Sequence, residues 1–423
     1  MRILVIGQGG REHALCSKIA ESPLCEELFC CPGNAGIAEI ATCLPVSTED
    51  TQGLIDLCKH QDINFVVVGP EDPLVDGLAD ELEKNGIPTF GPSKMASRLE
   101  GSKSFTKEFC EKFAIPTADF SKFTDSDQAK LYVKNKTFPI VIKVDGLAAG
   151  KGVTIAENII DASKAIDEAL TGNKFKEAGH EIVIEEFLVG KEFSFFAFVD
   201  GSHILPLATA QDYKRVADGD KGPNTGGMGA CSPALELPDN IEEDILSEII
   251  EPTVKGMQEI GSPFKGILYA GIMLTKNGPK LIEYNVRFGD PECQAMLMRM
   301  DSDLVPILKA VREGTLSELN LSWDQKYTVC VVMAAEGYPE FPKKGSVIKG
   351  LEEARSSDLD VKIFHAATKM NDDFVIANGG RVLNIVAHAI TTEQARVKAY
   401  KAIEKIDWPE GFCRYDIGAN LSP

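Results

Sequence analysis

No stretch of the 423 residues approaches the ~18 consecutive apolar residues of a membrane-spanning helix, so the chain is not expected to cross a bilayer. The opening run, Met1-Arg-Ile-Leu-Val-Ile-Gly, is too short for a secretory signal. Positive charge is scarce: 44 Lys and Arg stand against 64 Asp and Glu, a formal charge of −20. Such a surface repels nucleic acid and anionic membrane, and neither is an expected partner. An anionic ligand must instead be gripped locally, by backbone N–H groups or a few aimed Arg and Lys. The eleven cysteines lack any CxxC or Cys/His grouping, which argues against a zinc site. They are expected to be reduced and mostly buried, and the expected location is the cytoplasm. Internal repeats and low-complexity tracts are also missing.

What is present is strand–helix alternation. Over the first hundred residues, strands are expected at 3–6, 27–31, 63–68 and 87–90, and helices at 11–21, 51–60 and 74–85. That order implies right-handed crossovers and a parallel sheet, whose ligands lie at the carboxyl ends of its strands. Those ends carry the loops Gly7–Gly10, Pro32–Gly36 and Gly69–Pro73. A helix is expected over 101–113. A smaller α+β unit should follow, with strands at 139–144, 153–156 and 181–187 and a helix near 161–171. Strand 191–199 leads through Asp200-Gly201 into 203–208, a hairpin signal. Residues 209–233 read as one long loop, which at that length is usually functional or disordered. A second hairpin joins 266–275 to 279–285 through Asn277-Gly278. A single helix is expected from about 291 to 313, and strands near 327–335, 346–348, 361–366 and 381–387.

Six stretches carry chemistry. Gly7-Gln8-Gly9-Gly10-Arg11-Glu12-His13 follows a strand and opens a helix, a ready anion site. The dinucleotide fingerprint fails there, because Glu12 replaces its third glycine and the second strand ends in Cys30-Cys31-Pro32 without the acidic residue. A small phosphate ester fits better, and a glycine turn needed only for packing is the plain alternative. Gly146-Leu-Ala-Ala-Gly150-Lys151-Gly152 resembles a Walker A loop. It is one residue short between its glycines and ends in Gly152 instead of Ser or Thr. It also leads into β-like residues, so a flap between antiparallel strands suits it, with Lys143 beside it. Glu185-Glu186-Phe187-Leu188 and Glu192 could read an adenine edge and ribose hydroxyls. Glu283 and Asn285 lie two apart on a strand and share a face, offering two oxygens to Mg²⁺ alongside phosphates. Arg287 follows, placed to stabilise a transferring phosphoryl group. In 209–233, Gln211–Arg215 and Pro223–Ala230 stand out, with glycines that let backbone approach a small ligand. Near the C-terminus, His365–Lys369 and Asn378-Gly-Gly-Arg381 add one more glycine turn with a cation.

Together GQGGREHAL, PGNAG, VGPEDPLV, LEGSKSFTKEF, VIKVDGLAAGKGV, VIEEFLVG, QDYKR, GPNTGGMGA, IEYNVRFGDPE and NGGRV resemble the glycinamide ribonucleotide synthetases, or phosphoribosylamine–glycine ligases, of the ATP-grasp superfamily. The resemblance covers essentially the whole chain. It implies an α/β multidomain protein: a parallel-sheet domain at 1–101, an ATP-grasp region at 102–325 with a small mobile lid at about 122–190, and a mixed α+β domain at 326–423. It implies ATP with Mg²⁺ or Mn²⁺, glycine and 5-phosphoribosylamine as substrates, and a monomer. By similarity Lys103, Lys143 and the loop Gly146, Gly150, Lys151, Gly152 hold phosphates. Glu185, Phe187 and Leu188 hold adenine, Glu192 the ribose, and Glu283 with Asn285 the metal. Gly9, Gly10, Arg11, Glu12, His13, Asn34, Ala35, Glu71, Asp72, Pro73, Asp212 and the run Asn224, Thr225, Gly226, Gly227, Met228, Gly229 shape the substrate sites. Arg287, Lys143 and Asp212 are the expected catalytic groups. Many relatives in the superfamily carry a further metal carboxylate on the strand before Glu-x-Asn; residues 270–275 have none. An NAD-linked oxidoreductase, a silent binding protein on the same scaffold, and a ligase of a different small acid are the alternatives.

Overall fold

Apolar strands threaded between amphipathic helices build the first hundred residues, as their patterning predicts. The elements are β1 (Arg2–Gly7), α1 (Gly10–Ala20), β2 (Glu27–Pro32), β3 (Thr42–Cys43), α2 (Thr51–His60), β4 (Phe65–Val68), α3 (Glu71–Asp76), α4 (Leu78–Lys84) and β5 (Thr89–Phe90). All pair in parallel in the order β3-β2-β1-β4-β5. The structure is a computed structural model describing residues 1–148, 152–172, 180–234, 237–238 and 240–419. The single helix expected over 74–85 is instead two. Gly77 sits at φ +97°, a left-handed conformation that closes α3 and restarts the chain as α4.

α5 (Arg98–Gly101) and α6 (Lys103–Lys112) replace the helix expected over 101–113. Ser102 is extended, and its Oγ accepts from Phe105 N–H (3.1 Å), so a new helix starts there. β6 (Phe120–Phe123), α7 (Ser126–Val133), β7 (Ile140–Val144), β8 (Val153–Ala156), α8 (Ile159–Leu170) and β9 (Ile182–Glu186) follow. They form an antiparallel sheet, β6-β9-β7-β8, with its own small core against α7 and α8.

β10 (Lys191–Asp200) and β11 (Ile204–Pro206) make the expected hairpin. The long loop expected over 209–233 is not one. It holds β12 (Gln211–Asp212), β13 (Arg215–Ala217), β14 (Lys221–Asn224) and β15 (Gly229–Ser232). β15 pairs with a strand a hundred residues later, Gly229 opposite Val331 and Ser232 opposite Thr328. A glycine-rich segment has no periodicity of its own to announce such a partner. After α9 (Ile241–Ile245) and α10 (Glu251–Glu259), β16 (Lys265–Thr275) and β17 (Gly278–Asn285) complete a sheet β11-β10-β16-β17. Its buried face and the N-terminal sheet share one apolar core.

The helix expected over 291–313 is α11 (Glu292–Leu297) and α12 (Leu304–Glu313), the second capped by Asp303 Oδ1 on Val305 N–H (3.0 Å). The remainder is β18 (Tyr327–Ala335), β19 (Val347–Ile348), α13 (Leu351–Arg355), β20 (Val361–His365), β21 (Thr368–Asn371), β22 (Phe374–Ala377), β23 (Arg381–Ala389), α14 (Thr392–Ile403) and β24 (Gly411–Phe412). β12-β15-β18-β23-β20 form one sheet, with β24 on β18, so two strands from the middle of the chain complete the C-terminal sheet. Among the described residues no helix is long and apolar enough to cross a membrane. All eleven cysteines are free thiols.

Candidate active site

The glycines after β1 make room for a side chain. The Glu12 carboxylate folds back so that Oε2 accepts from Gly9 N–H (2.6 Å) at the start of α1. A Cβ at Gly7 (φ +132°) or at Gly69 would collide with that carboxylate. The anion at this helix N-terminus is therefore the chain's own. That carboxylate counts against a dinucleotide pyrophosphate at these N–H groups and equally against the small phosphate ester expected there, so a phosphoribosyl group would meet this segment away from the Gly9 N–H. Oε1 of Glu12 accepts from Arg11 Nε (2.6 Å), and Arg11 Nη1 donates to Phe288 O (3.2 Å) and lies 3.7 Å from Glu71. Both Arg11 and Glu12 are buried.

Arg287 continues this network. Its Nε donates to Glu71 Oε2 (3.0 Å), and Nη2 lies 2.9 Å from Glu100 Oε1. The Arg287 guanidinium holds the Glu71 carboxyl at about 2, well below its usual range. Burial pushes Glu100 up to about 7, although Arg287 and the Val286 N–H (2.7 Å) both favour its anion. Glu71 thus positions Arg287, and Glu100, absent from the sequence reading, does the same from the other side. Asp72 and Pro73 sit beside Glu71 in the first turn of α3, where burial raises the Asp72 carboxyl.

The expected phosphate side gathers at β7, β9, β17 and α6. Lys143 is buried on β7; its Nζ lies 3.0 Å from Glu185 Oε1 and donates to Ile282 O (3.1 Å). Lys103 Nζ donates to Gly146 O (3.0 Å), and burial lowers its pKa. Val153 pairs antiparallel with Lys143, and Val144 N–H donates to Gly152 O (2.8 Å), so the glycine loop joins two strands instead of entering a helix. Gly150 and Lys151 lie outside the described residues. Phe187 and Leu188 follow the end of β9, with the Phe187 ring partly exposed.

Glu283 and Asn285 lie on one face of β17, opposite Gly271 and Tyr269 of β16. Burial works to raise the Glu283 pKa, but Lys214, Lys143, Lys103 and Arg287 outweigh it and hold the carboxylate ionised. No group of three or more His, Cys, Asp or Glu among the described residues could hold a metal alone. A carboxylate and an amide on one face fit a hard divalent cation that completes its shell with phosphate oxygens and water. The missing carboxylate on β16 agrees, since glycine stands where Glu283 is paired.

Lys214 pairs with Glu192 and lies 4.0 Å from Asp212 Oδ2. Burial raises the Asp212 carboxyl to about 7, with Glu292 and Glu192 adding to the rise. Glu292 accepts from Tyr269 OH (2.7 Å), which also contacts Ser194 Oγ. The sequence reading quoted Lys214 without a role, although its place two residues after Asp212 was a usable signal. The Asn224–Gly229 run is anchored from both ends: Thr225 Oγ1 donates to Lys214 O (2.8 Å), and Met228 N–H donates to Tyr213 O (2.8 Å). Arg381 Nη1 donates to Gly226 O and to Asp290 O (2.6 Å).

Asn34 and His13 face the C-terminal sheet. Asn34 Nδ2 donates to Gln8 O (2.8 Å) and His365 O (2.9 Å), and Oδ1 accepts from Gly36 and Ile37 N–H. Ala35 beside it is buried. His365 N–H donates to His13 Nδ1 (2.8 Å). Burial lowers His13 to about 3 and His365 to about 4. Both are neutral when folded, whereas the unfolded chain protonates them near 6.5. Below that pH the unfolded state binds more protons, so stability is full above 6.5 and falls as pH drops toward 4. The expected slope is on the order of 1 kcal/mol per pH unit per histidine. Denaturant unfolding from pH 7 to 4 checks this, and His365→Gln should flatten the slope; an unchanged slope refutes it.

With this geometry in place, family models match along the chain: the phosphoribosylglycinamide synthetase N domain over residues 1–100, its ATP-grasp (A) domain over 101–293 and its C domain over 328–420. The chain belongs to the phosphoribosylglycinamide synthetase family. It is 54% identical over 418 residues to a phosphoribosylamine–glycine ligase of Brucella melitensis, covering 99% of this chain and 97% of the relative. It is 49% identical over 424 residues to that of Escherichia coli O157:H7, covering 99% and 98%. A crystal structure of the Thermotoga maritima phosphoribosylamine–glycine ligase matches with a TM-score of 0.86 at 34% identity, covering 99% of this chain and all of that one. A biotin carboxylase domain from Hydrogenobacter thermophilus, solved with MgADP, shares the fold at a TM-score of 0.72 and 18% identity, covering 97% and 91%.

Proposed function

We propose that the chain ligates glycine to 5-phosphoribosylamine with ATP, giving glycinamide ribonucleotide, ADP and phosphate, a step of purine biosynthesis. The observation that carries the reading is that Lys103, Lys143, Lys214 and Arg287 all act on the Glu283 carboxylate while each is also held in place by another partner: Lys103 by Gly146 O, Lys143 by Glu185, Lys214 by Glu192, and Arg287 by Glu71 and Glu100. Four cations gathered at one carboxylate in a chain of charge −20 give a polyphosphate the local donors that the surface as a whole lacks. In the first step a glycine carboxylate oxygen bonds the γ-phosphorus while the bond to the bridging oxygen breaks and ADP leaves. The amine nitrogen of phosphoribosylamine then attacks the glycyl carbonyl carbon and phosphate leaves.

The chain's own residues bind, orient and exclude water; no protein nucleophile is required. Lys103, Lys143 and the 146–152 loop hold phosphates. Glu185, Phe187, Leu188 and Glu192 take the nucleoside. Arg287, braced by Glu71 and Glu100, directs its remaining N–H groups at the transferring phosphoryl. Asp212, with a pKa near neutrality, is suited to receive the proton the amine loses. Mg²⁺ or Mn²⁺ held by Glu283 and Asn285 would neutralise phosphate charge and orient the γ-phosphoryl. The first turns of α1 (Gly9–His13) and α3 (Glu71–Pro73), with the segments Asn34–Ala35 and Asn224–Gly229, enclose the two small substrates. Cytoplasmic residence, a monomeric state and domain limits at 101/102 and 325/326, with a lid over about 122–190, belong to the same reading. The sheet β6-β9-β7-β8, with its separate core, supports the lid.

ADP release assayed with glycine, alanine and other small acids, with and without phosphoribosylamine, tests the reading. Glycine together with the amine is expected to give the highest rate. Preference for another acid would move the chain to a ligase of that acid, and no ADP release with any pair would end the proposal.

A further inference from the structure

One buried cation near the nucleotide side has no part in the mechanism above. Lys107 lies on α6 one turn after Lys103, on the same face, and is 3% exposed. Its Nζ donates to Thr117 Oγ1 (2.6 Å) and stands 3.0 Å from Glu185 Oε2. Thr117 Oγ1 in turn donates to Leu281 O (2.7 Å), two residues before Glu283. The other oxygen of Glu185, Oε1, lies 3.0 Å from Lys143 Nζ. One carboxylate is therefore shared by two lysines, all three side chains at most 5% exposed, with a net charge of +1.

The sharing has a consequence for Lys143. A buried Lys–Glu pair alone is neutral overall and attracts a distant anion weakly. A second lysine on the same carboxylate leaves one unit of positive charge uncancelled in a low-dielectric site, where its field acts over several ångströms. Thr117, fixed to the β17 backbone, keeps Lys107 from swinging away.

We propose that Lys107 is a positioning residue for nucleotide phosphate: it occupies one oxygen of Glu185, so that Lys143, on the other, keeps its positive charge for the polyphosphate. The proposal rests on the reading of this pocket as an ATP site and assigns the net charge within it.

Calorimetry on the full chain with ADP and with adenosine tests it, because the ratio of the two affinities isolates the phosphate contribution from any contact Glu185 makes with the base. Lys107→Met leaves a neutral Glu185–Lys143 pair and should lower the ADP-to-adenosine ratio by about tenfold. Glu185→Gln leaves two lysines without their anion and should raise the ratio. The double variant, back at +1, should return it to within about threefold of the parent. Lys107→Arg, which retains the charge, should hold the ratio. An unchanged ratio in both single variants, or a double variant no better than Lys107→Met, overturns the proposal. If Lys107→Met does not fold, Glu185→Gln and the double variant decide alone. A parent chain that binds no ADP would instead refute the ATP reading itself.

Discussion

Glu283→Ala abolishes glycine-dependent ADP release in the expected outcome, by about a thousandfold or more in kcat, with the fold retained. Glu283 is the one carboxylate on its strand face, and Lys214, Lys143, Lys103 and Arg287 converge on it. Removing it deprives a divalent cation of its only anionic protein ligand in the Glu283–Asn285 pair. The lysines remain, and with less negative charge among them they should hold metal-free ADP at least as tightly as before. Turnover and nucleotide affinity therefore part company in this variant. Steady-state ADP release beside calorimetric ADP binding without metal measures the two. Near-normal turnover would remove the metal assignment, whereas a joint loss of turnover and metal-free binding would point to a collapsed pocket.

Arg11→Ala should cost stability first, by about 3–5 kcal/mol. The guanidinium is 7% exposed and bonded to Glu12 Oε1 at 2.6 Å, with Glu71 3.7 Å away. Truncation strands the Glu12 carboxylate in a buried place where, among the described residues, the Gly9 N–H at 2.6 Å is the hydrogen bond left to it. Arg11→Met combined with Glu12→Gln removes both charges and should recover most of the loss. Urea unfolding of the single and double variants checks this; equal losses would mean that the ion pair is not the cause. In whatever Arg11→Ala protein folds, KM for phosphoribosylamine should rise more than KM for ATP, because Arg11 stands in the first turn of α1 beside Glu12 and Glu71 and not on the Lys143 side. Equal effects on both substrates would argue against an N-terminal phosphoribosyl site.

The contrast between these two variants follows from how much of each site was legible in the chain. Glu283 and Asn285 stand two apart on a strand whose apolar–polar pattern is strong, so their common face could be read directly. The roles of Arg11 and Glu12 could not. The helix start was visible, and a glutamate at its third position can reach back to the N-cap N–H, but that local pattern does not say that the carboxylate stays there in place of a bound anion. That depends on the room left by Gly69, a residue of another loop. Glu100 and Lys107 were missed for the same reason. Each is an ordinary charged residue on a short helix until Arg287 or Glu185 is brought to it.

Elements of the parallel sheet, the two hairpins and the antiparallel pairing of β7 with β8 were determined by the sequence itself. Period-two apolar runs and turn dipeptides act over a few residues and need no distant partner. The ordered motifs likewise specified the family. Only the tertiary structure decided that 209–233 would form strands, because a glycine-rich segment becomes a strand when a remote edge such as β18 supplies its hydrogen bonds. It also decided which charges are spent on one another and which remain for a ligand. Burial strengthens every pairing, and burial belongs to the assembled chain, not to any segment of it.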